Sequence, residues 1–244
     1  KSATEGKTSV TYSGYYQRKT NPKVLEVMSA YDYVLWNWSY ATSYAASDGS
    51  NVAKYFGLGS ANGNHLEEYR NIASHNYVND VMRSADTWNH DISVSGGTAA
   101  TKYYASINYT DDMGTRIKSD YSRWNANFKV DHKISDKLNL STDLRYTQST
   151  INGTQFGMAT SVYGYRPIDT PLGTDNPGLF GTGSGNVESN NNPVSIINNY
   201  TNINNKENFS GRGSLDWTIT KGLIAKAEVY LSKGSSITQY WDEG

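Results

Sequence analysis

The 244-residue chain has no cysteine and only five prolines, and no part of it approaches the roughly 20 consecutive apolar residues of a membrane-spanning helix. A disulfide framework is therefore excluded. The mean hydropathy of -0.67 is too polar for a helical membrane protein. It does not exclude a membrane barrel, because barrel strands alternate lipid-facing apolar residues with polar ones.

Clustered charge is also missing. The formal net charge is -1, and the 22 lysines and arginines are scattered along the chain. A patch that phosphate backbones would attract is absent, so we predict no nucleic-acid partner. No signal peptide opens the chain at Lys1-Ser2-Ala3. Either a signal peptide was removed, or the sequence is an internal piece of a longer protein. We favour the internal piece.

Period-two alternation of apolar and polar residues is the strongest pattern in the chain, and it predicts about seven strands. In the first strand Val10, Tyr12 and Tyr16 fall on one face, and Thr11 and Ser13 fall on the other. The remaining alternating stretches are residues 88–94, 102–109, 123–131, 138–146, 209–219 and 223–232.

The connections between these strands follow the order long, short, moderate, short, long, short. Outer-membrane barrels have short turns at one end and longer loops at the other, whereas a sandwich places both lengths at both ends. The two long connections cover about residues 18–87 and 149–206. In the first, Ser29 and Asp32 have capping-box spacing and predict a helix as far as Ser47. We expect loop over residues 48–86, with a second possible helix near His65–Arg70.

Aromatic residues lie near the ends of several predicted strands, among them Tyr16, Trp88, Tyr109, Trp124 and Trp217. Aromatic girdles at both membrane interfaces would produce this distribution. Aromatic residues are also good strand formers in any sheet. Both interpretations stay open at this point.

Reactive chemistry is scarce. The four histidines are far apart and match no metal spacing. The adjacent carboxylates Glu67-Glu68 and Asp111-Asp112 would point to opposite faces of a strand or lie solvated in a loop. We therefore predict no catalytic residue, no metal, no cofactor and no enzyme activity.

The segment Trp88-Asn89-His90-Asp91-Ile92-Ser93-Val94-Ser95-Gly96-Gly97 is followed by Lys102-Tyr103-Tyr104-Ala105-Ser106, by Gly114 and by Tyr121-Ser122-Arg123-Trp124-Asn125. This series resembles the early barrel of SusC/RagA-like TonB-dependent transporters. The opening, Lys1 to Tyr16, is similar to the end of the plug domain entering the first barrel strand. The segment Met28 to Val34 resembles the helix of the first long loop.

The resemblance implies an all-β fold, an antiparallel transmembrane β-barrel fragment with long extracellular loops that carry short helices. Residues 1–244 would be a partial barrel domain without the plug, about seven strands of a barrel of about 22. The implied function is transport across the Gram-negative outer membrane of glycans or peptides, with a SusD-like lipoprotein as lid. Energy would come from TonB through the missing N-terminal part.

Two other classes of protein remain as alternatives. One is a secreted or surface all-β carbohydrate-binding module, whose outward sheet faces would be polar. The other is a small complete porin, which about seven strands disfavour because the smallest barrels have about eight.

Several aromatic residues lie outside any predicted strand: Trp36 and Trp38 in the first long connection, and Tyr163, Tyr165 and Phe180 in the second. We predict that these residues contact substrate or the lid, with Arg166 and Asp169 supplying polar contacts. The alternative is that they form the small hydrophobic core of each loop.

Overall fold

A computed structural model describes residues 6–21, 25–59, 65–153, 162–168 and 192–242. Within these ranges the chain divides into two compact units. The sheet unit comprises residues 6–20, 84–153 and 201–241. The helical unit comprises the described residues of 21–83, 162–168 and 192–200.

The sheet unit is one antiparallel sheet of seven strands, in which each strand pairs with its neighbour in the sequence. The seven strands predicted from the alternation are confirmed. Their bounds are β1 Gly6–Lys19, β2 Ala85–Gly97, β3 Thr101–Met113, β4 Asp120–Ser135, β5 Leu138–Asn152, β6 Tyr200–Thr220 and β7 Leu223–Asp242.

The connections are short at one end of this sheet and longer at the other. Residues 98–100, 136–137 and 221–222 form the short turns. In the last of these, Gly222 adopts a φ of 86°, which side-chain-bearing residues rarely adopt. Residues 20–84, 114–119 and 153–199 leave from the opposite end. The predicted asymmetry of the connections is confirmed.

Several strands run further than the alternation predicts. β3 continues through the predicted connection at Asp111-Asp112, and β6 begins at Tyr200 rather than near residue 207. These extensions are mostly polar, and their few apolar residues, Met113, Tyr200 and Ile203, do not form a clear period of two. Side-chain hydrogen bonds stabilise them instead: Thr87 Oγ1 donates to Asp112 at 2.7 Å, and Thr150 Oγ1 donates to Asn205 at 2.8 Å.

The register places apolar residues of neighbouring strands side by side on one face of the sheet. One row across β1 to β5 consists of Val10, Val94, Ala105, Phe128 and Leu144, and the adjacent row across β1 to β6 consists of Tyr12, Ile92, Ile107, Ala126, Tyr146 and Phe209. Much of this face is exposed. We call it the apolar face.

The opposite face is polar. Its asparagines form a ladder in which Asn108 Nδ2 donates to Asn89 Oδ1 at 3.3 Å, while Asn89 donates to Thr110 at 2.8 Å. Further along, the Asp143 carboxylate accepts from Arg145 Nε at 3.1 Å and from Arg145 Nη2 at 3.0 Å. The two faces therefore differ in polarity along the paired strands.

The helical unit contains α1 Ala30–Tyr44, α2 Ala46–Tyr55, a 3₁₀ helix Leu66–Asn71, α3 Tyr77–Val81 and α4 Pro193–Asn199. In the described part of the chain, no helix is both long and apolar enough to cross a membrane. The hydrophobic core of the helical unit is formed by Ala30, Val34, Val52, Ala53, Tyr55, Phe56, Leu58, Leu66, Tyr69 and Ile168.

The helix predicted from Ser29 is confirmed. The Ser29 side chain accepts a hydrogen bond from the Asp32 backbone N–H, which is the N-cap interaction that the spacing indicates. The expectation of loop over residues 48–86 is wrong for α2 and α3. The sequence of α2 is polar and contains Gly49, so its helix depends on the burial of Val52 and Ala53.

Two glycines of the sheet allow a matched test of how tightly it is packed. A Cβ on Gly14 would lie 2.8 Å from the Asn89 carbonyl oxygen and 2.9 Å from the Tyr12 hydroxyl, whereas a Cβ on Gly213 would meet nothing within 4 Å. We expect Gly14→Ala to lower the free energy of unfolding by about 1–3 kcal/mol. Gly213→Ala should be neutral or stabilising by up to about 1 kcal/mol. Denaturant unfolding of the two variants measures both effects, and equal effects would contradict the packing described.

Candidate functional site

The helical unit contains a pocket of about 410 Å³. It brings together residues from the first and second long connections of the chain. Its lining consists of Leu25, Glu26, Val27, Met28, Tyr33, Trp36, Tyr163, Gly164, Tyr165 and Pro167. Three residues predicted from sequence as contact residues, Trp36, Tyr163 and Tyr165, therefore line one pocket.

The α1 helix supplies Tyr33 and Trp36 to this pocket, because residues three apart lie on the same side of a helix. The beginning of α1 is fixed in two ways. The Ser29 hydroxyl accepts from the Asp32 N–H at 3.0 Å. The Ala30 N–H donates to the Ser74 hydroxyl at 2.8 Å. The orientation of the two rings follows from this anchored helix.

Residues 162–168, which we call the inserted segment, supply the other side of the pocket. Ile168 is fully buried in the core of the helical unit. The preceding carbonyl, of Pro167, accepts from the His75 backbone N–H at 2.8 Å. Arg166 Nη1 donates to the Tyr55 hydroxyl at 2.9 Å. The segment is therefore held by packing and by hydrogen bonds to the first connection.

The two tyrosines of the inserted segment have different surroundings. Tyr165 meets the Tyr77 ring edge-on with 4.9 Å between ring centroids. The Tyr163 hydroxyl accepts from the Leu25 backbone N–H at 3.4 Å. Both rings are thus positioned by the first connection.

The chemistry of the pocket is aromatic and aliphatic. Among its lining residues Glu26 is the one with an ionisable carboxylate. Burial raises the pKa of Tyr33, and the nearby Arg166 guanidinium opposes that shift in part. The Arg166 guanidinium also lies 5.9 Å from the centre of the Tyr165 ring. Arg166 therefore supports the pocket wall without lining the pocket.

The other predicted site residues divide into two groups. Trp38 packs, half-buried, against the hydrophobic core, as the loop-core alternative expects. Asp169 and Phe180 lie outside the described residues.

The sequence prediction missed Tyr33, Leu25 and Met28 as lining residues. Tyr40 and Tyr44 continue from Trp36 at spacings of four, on the same face of α1, but they do not line the pocket. Nothing local in the sequence indicates that Leu25 and Met28 meet the inserted segment. Within the described ranges, no group of three or more His, Cys, Asp or Glu side chains could hold a metal ion.

Substitution of the two tryptophans of α1 separates a core role from a surface role. Trp38→Ala should lower the stability of the helical unit by about 1–3 kcal/mol, because it removes a ring packed on the core. Trp36 is 52% exposed, so Trp36→Ala should cost less than about 1 kcal/mol. Hydrogen exchange of α1 and α2 in the full-length protein reports both effects. Faster exchange in the Trp36 variant than in the Trp38 variant would reverse the assignment.

No protein-family model and no curated protein matches the sequence. Solved structures do share its fold. The RagAB peptide importer in the closed-closed state matches 98% of this chain with a TM-score of 0.65 and 16% identity. The open-open state of the importer matches 98% of this chain with a TM-score of 0.67 and 18% identity. A RagAB peptide transporter structure matches 96% of this chain with a TM-score of 0.63 and 19% identity.

In each case the match covers 29% of the solved chain, so this sequence corresponds to less than a third of its structural neighbours. Those neighbours are transporters. The predicted resemblance to SusC/RagA-like transporters is confirmed at the level of the fold: the chain has the fold of a run of antiparallel barrel strands with long, helix-bearing connections.

Proposed function

We propose that this chain is part of the barrel of an outer-membrane transporter of the SusC/RagA type, which imports peptides or glycans. The observation that carries the proposal is the difference in polarity between the two faces of the sheet: one face is apolar and exposed, and the other is polar. The fold is also shared with RagAB peptide importers. A soluble carbohydrate-binding module would instead present polar outward faces.

The apolar face has the features expected of a lipid-facing surface. Tyr16 and Trp88 meet at 4.5 Å between ring centroids, and Tyr109 and Trp124 meet at 4.3 Å. These aromatic pairs lie toward the end of the sheet with the long connections, beyond aliphatic residues such as Ile107. A girdle of this kind stabilises barrels at the boundary between lipid tails and headgroups.

The edges of the sheet support a larger barrel. In the described residues β1 and β7 each pair on one side only. Unpaired backbone groups in lipid are costly, so further strands would have to pair with both edges. We propose that residues 1–244 form part of a barrel domain of about 22 strands. A plug that engages TonB would precede the barrel strands.

The long connections, about residues 18–87 and 149–206, would then be extracellular, because barrels place their longer loops on that side. A SusD-like lipoprotein would close over them, as the resemblance to SusC/RagA-like transporters implies. We propose that Trp36, Tyr163 and Tyr165 belong to the surface that meets substrate or lid, with Arg166 supporting the pocket wall. Trp38 serves the core of the helical unit instead, and the proposed contacts of Asp169 and Phe180 fall outside the described residues.

The pocket favours a peptide over a glycan. Sugar sites combine an aromatic platform with several amide or charged groups that bind hydroxyls. Here aliphatic side chains, among them Leu25, Val27 and Met28, accompany the aromatic rings. An apolar side chain of a peptide would bury its surface in such a lining.

The orientation of the sheet can be tested with adjacent residues of β4. Phe128→Arg would place a cation on the apolar face and should lower folding stability in lipid by about 2–4 kcal/mol near the bilayer midplane. Asn127→Arg, on the polar face, should cost far less. Folding of the two full-length variants into vesicles gives the comparison. Similar costs for both would be incompatible with a lipid-facing Phe128.

The pocket can be tested with Tyr163→Ala and Tyr165→Ala in the full-length transporter, using a mixed tryptic peptide pool as probe. We expect each variant to bind these peptides roughly tenfold more weakly, because each removes a ring from the lining. Surface expression and lipoprotein association are measured separately as controls. Unchanged peptide binding would exclude the pocket as the substrate site. Loss of expression would indicate that the two tyrosines serve the core of the loops.

A further inference from the structure

The pocket of the helical unit combines aromatic rings with a carboxylate. Its four aromatic lining residues are Tyr33, Trp36, Tyr163 and Tyr165, and Glu26 supplies the carboxylate. Among the described lining residues there is no lysine, arginine or histidine. The charge carried by this lining is therefore negative.

The Glu26 carboxylate differs from the other described glutamates of the helical unit in having no cation beside it. Glu67 pairs with Arg70, and Glu68 lies 2.6 Å from His65. Glu26 is exposed and forms no ion pair with any residue that the structure describes. Its charge is thus not neutralised within the described chain.

We infer that this pocket recognises a cationic side chain, lysine or arginine, of a peptide substrate. The inference rests on the proposed function and narrows the substrate class of the same pocket.

The cost of removing water selects among possible occupants. An apolar side chain in the pocket would displace water from the Glu26 carboxylate and offer it nothing in return. An acidic side chain would add like-charge repulsion. A cation replaces the lost hydration of Glu26 by direct attraction, so it gains from the feature that penalises the other two classes.

The rest of the lining matches the two parts of a lysine or arginine side chain. Both residues bury an aliphatic stem on apolar surface and keep the charged group at a polar site. Leu25, Val27 and Met28 supply the aliphatic surface. The faces of tyrosine and tryptophan rings attract cations through their quadrupoles, and several rings around one site form an aromatic cage.

The cage is held in place by contacts outside the pocket. Trp36 is stacked on Tyr40 with 5.2 Å between ring centroids and 9° between ring planes. The Tyr33 ring meets Phe56 edge-on at 6.2 Å. The two tyrosines of the inserted segment are held by the first connection, as described above. Binding would therefore order few further side chains.

The nearby cation Arg166 is engaged elsewhere. Its Nη1 donates to the Tyr55 hydroxyl at 2.9 Å, and it does not line the pocket. Its guanidinium lies 5.9 Å from the centre of the Tyr165 ring. Arg166 therefore leaves Glu26 as the charged group that a ligand meets in the described lining.

The test begins with a peptide that the purified full-length transporter retains from the mixed tryptic peptide pool. Three versions with blocked termini carry lysine, norleucine or glutamate at the position of its terminal basic residue. Norleucine keeps the aliphatic stem of lysine and lacks the ammonium group. By calorimetric titration we expect the lysine peptide to bind roughly tenfold more tightly than the norleucine peptide. The glutamate peptide should bind most weakly.

Two charge-removing variants locate the preference. Glu26→Gln keeps the shape of the side chain, so it should lower the affinity for the lysine peptide to that for the norleucine peptide and leave the latter nearly unchanged. Asp48→Asn is the matched control, because Asp48 is an exposed carboxylate of α2 outside the pocket lining. It should leave the ratio of the two affinities as in the wild type.

Equal affinities for the lysine and norleucine peptides in the wild type would overturn the inference and leave the proposed function standing. A lysine preference that survives Glu26→Gln, or that Asp48→Asn abolishes equally, would also overturn it. Loss of both peptides in Glu26→Gln would mean that Glu26 maintains the fold of the pocket, which is incompatible with the inference. If the wild-type transporter retains no peptide from the pool, the proposed import of peptides is itself contradicted, and the inference with it.

Discussion

Strand register is the constraint on which the sheet depends. Side chains alternate between faces with a period of two, so a slip of one residue would move every apolar side chain of a strand to the polar face. The observed pairing keeps Tyr12, Ile92 and Ile107 side by side on one face. Polar bonds reinforce the same register from the other face, as between Asn108 and Asn89.

The helical unit depends on a different interaction, the burial of Ile168. This residue comes from the second long connection but lies in a core otherwise built from the first. Its burial places Tyr163 and Tyr165 beside Trp36. The Arg166 hydrogen bond to Tyr55 adds a polar restraint next to the same core. The pocket is a consequence of this joint packing.

The two aromatic surfaces of the helical unit have different physical character. The pocket is concave and partly aliphatic, and it suits an apolar group of a small ligand. The row Trp36, Tyr40 and Tyr44 on α1 is exposed, and its rings are ordered by contact with one another. Both surfaces include Trp36.

Sequence reasoning was most successful where structure is local and periodic. The strands of the sheet and the Ser29 cap could be predicted, because alternation and capping involve residues close together in the chain. It was wrong for α2, where a polar sequence with Gly49 becomes helical by packing. It also missed α4, although Asn192 before Pro193 is an N-cap followed by a first-turn proline.

The sequence by itself therefore determined the all-β class, the two faces of the sheet and the asymmetry of its connections. Each follows from a period or a length that can be counted along the chain. Only the tertiary structure decided which aromatic residues share a pocket. Trp36 and Tyr163 lie in different connections, and no local pattern encodes their meeting. It results from the burial of Ile168, whose energy comes from residues distant in sequence.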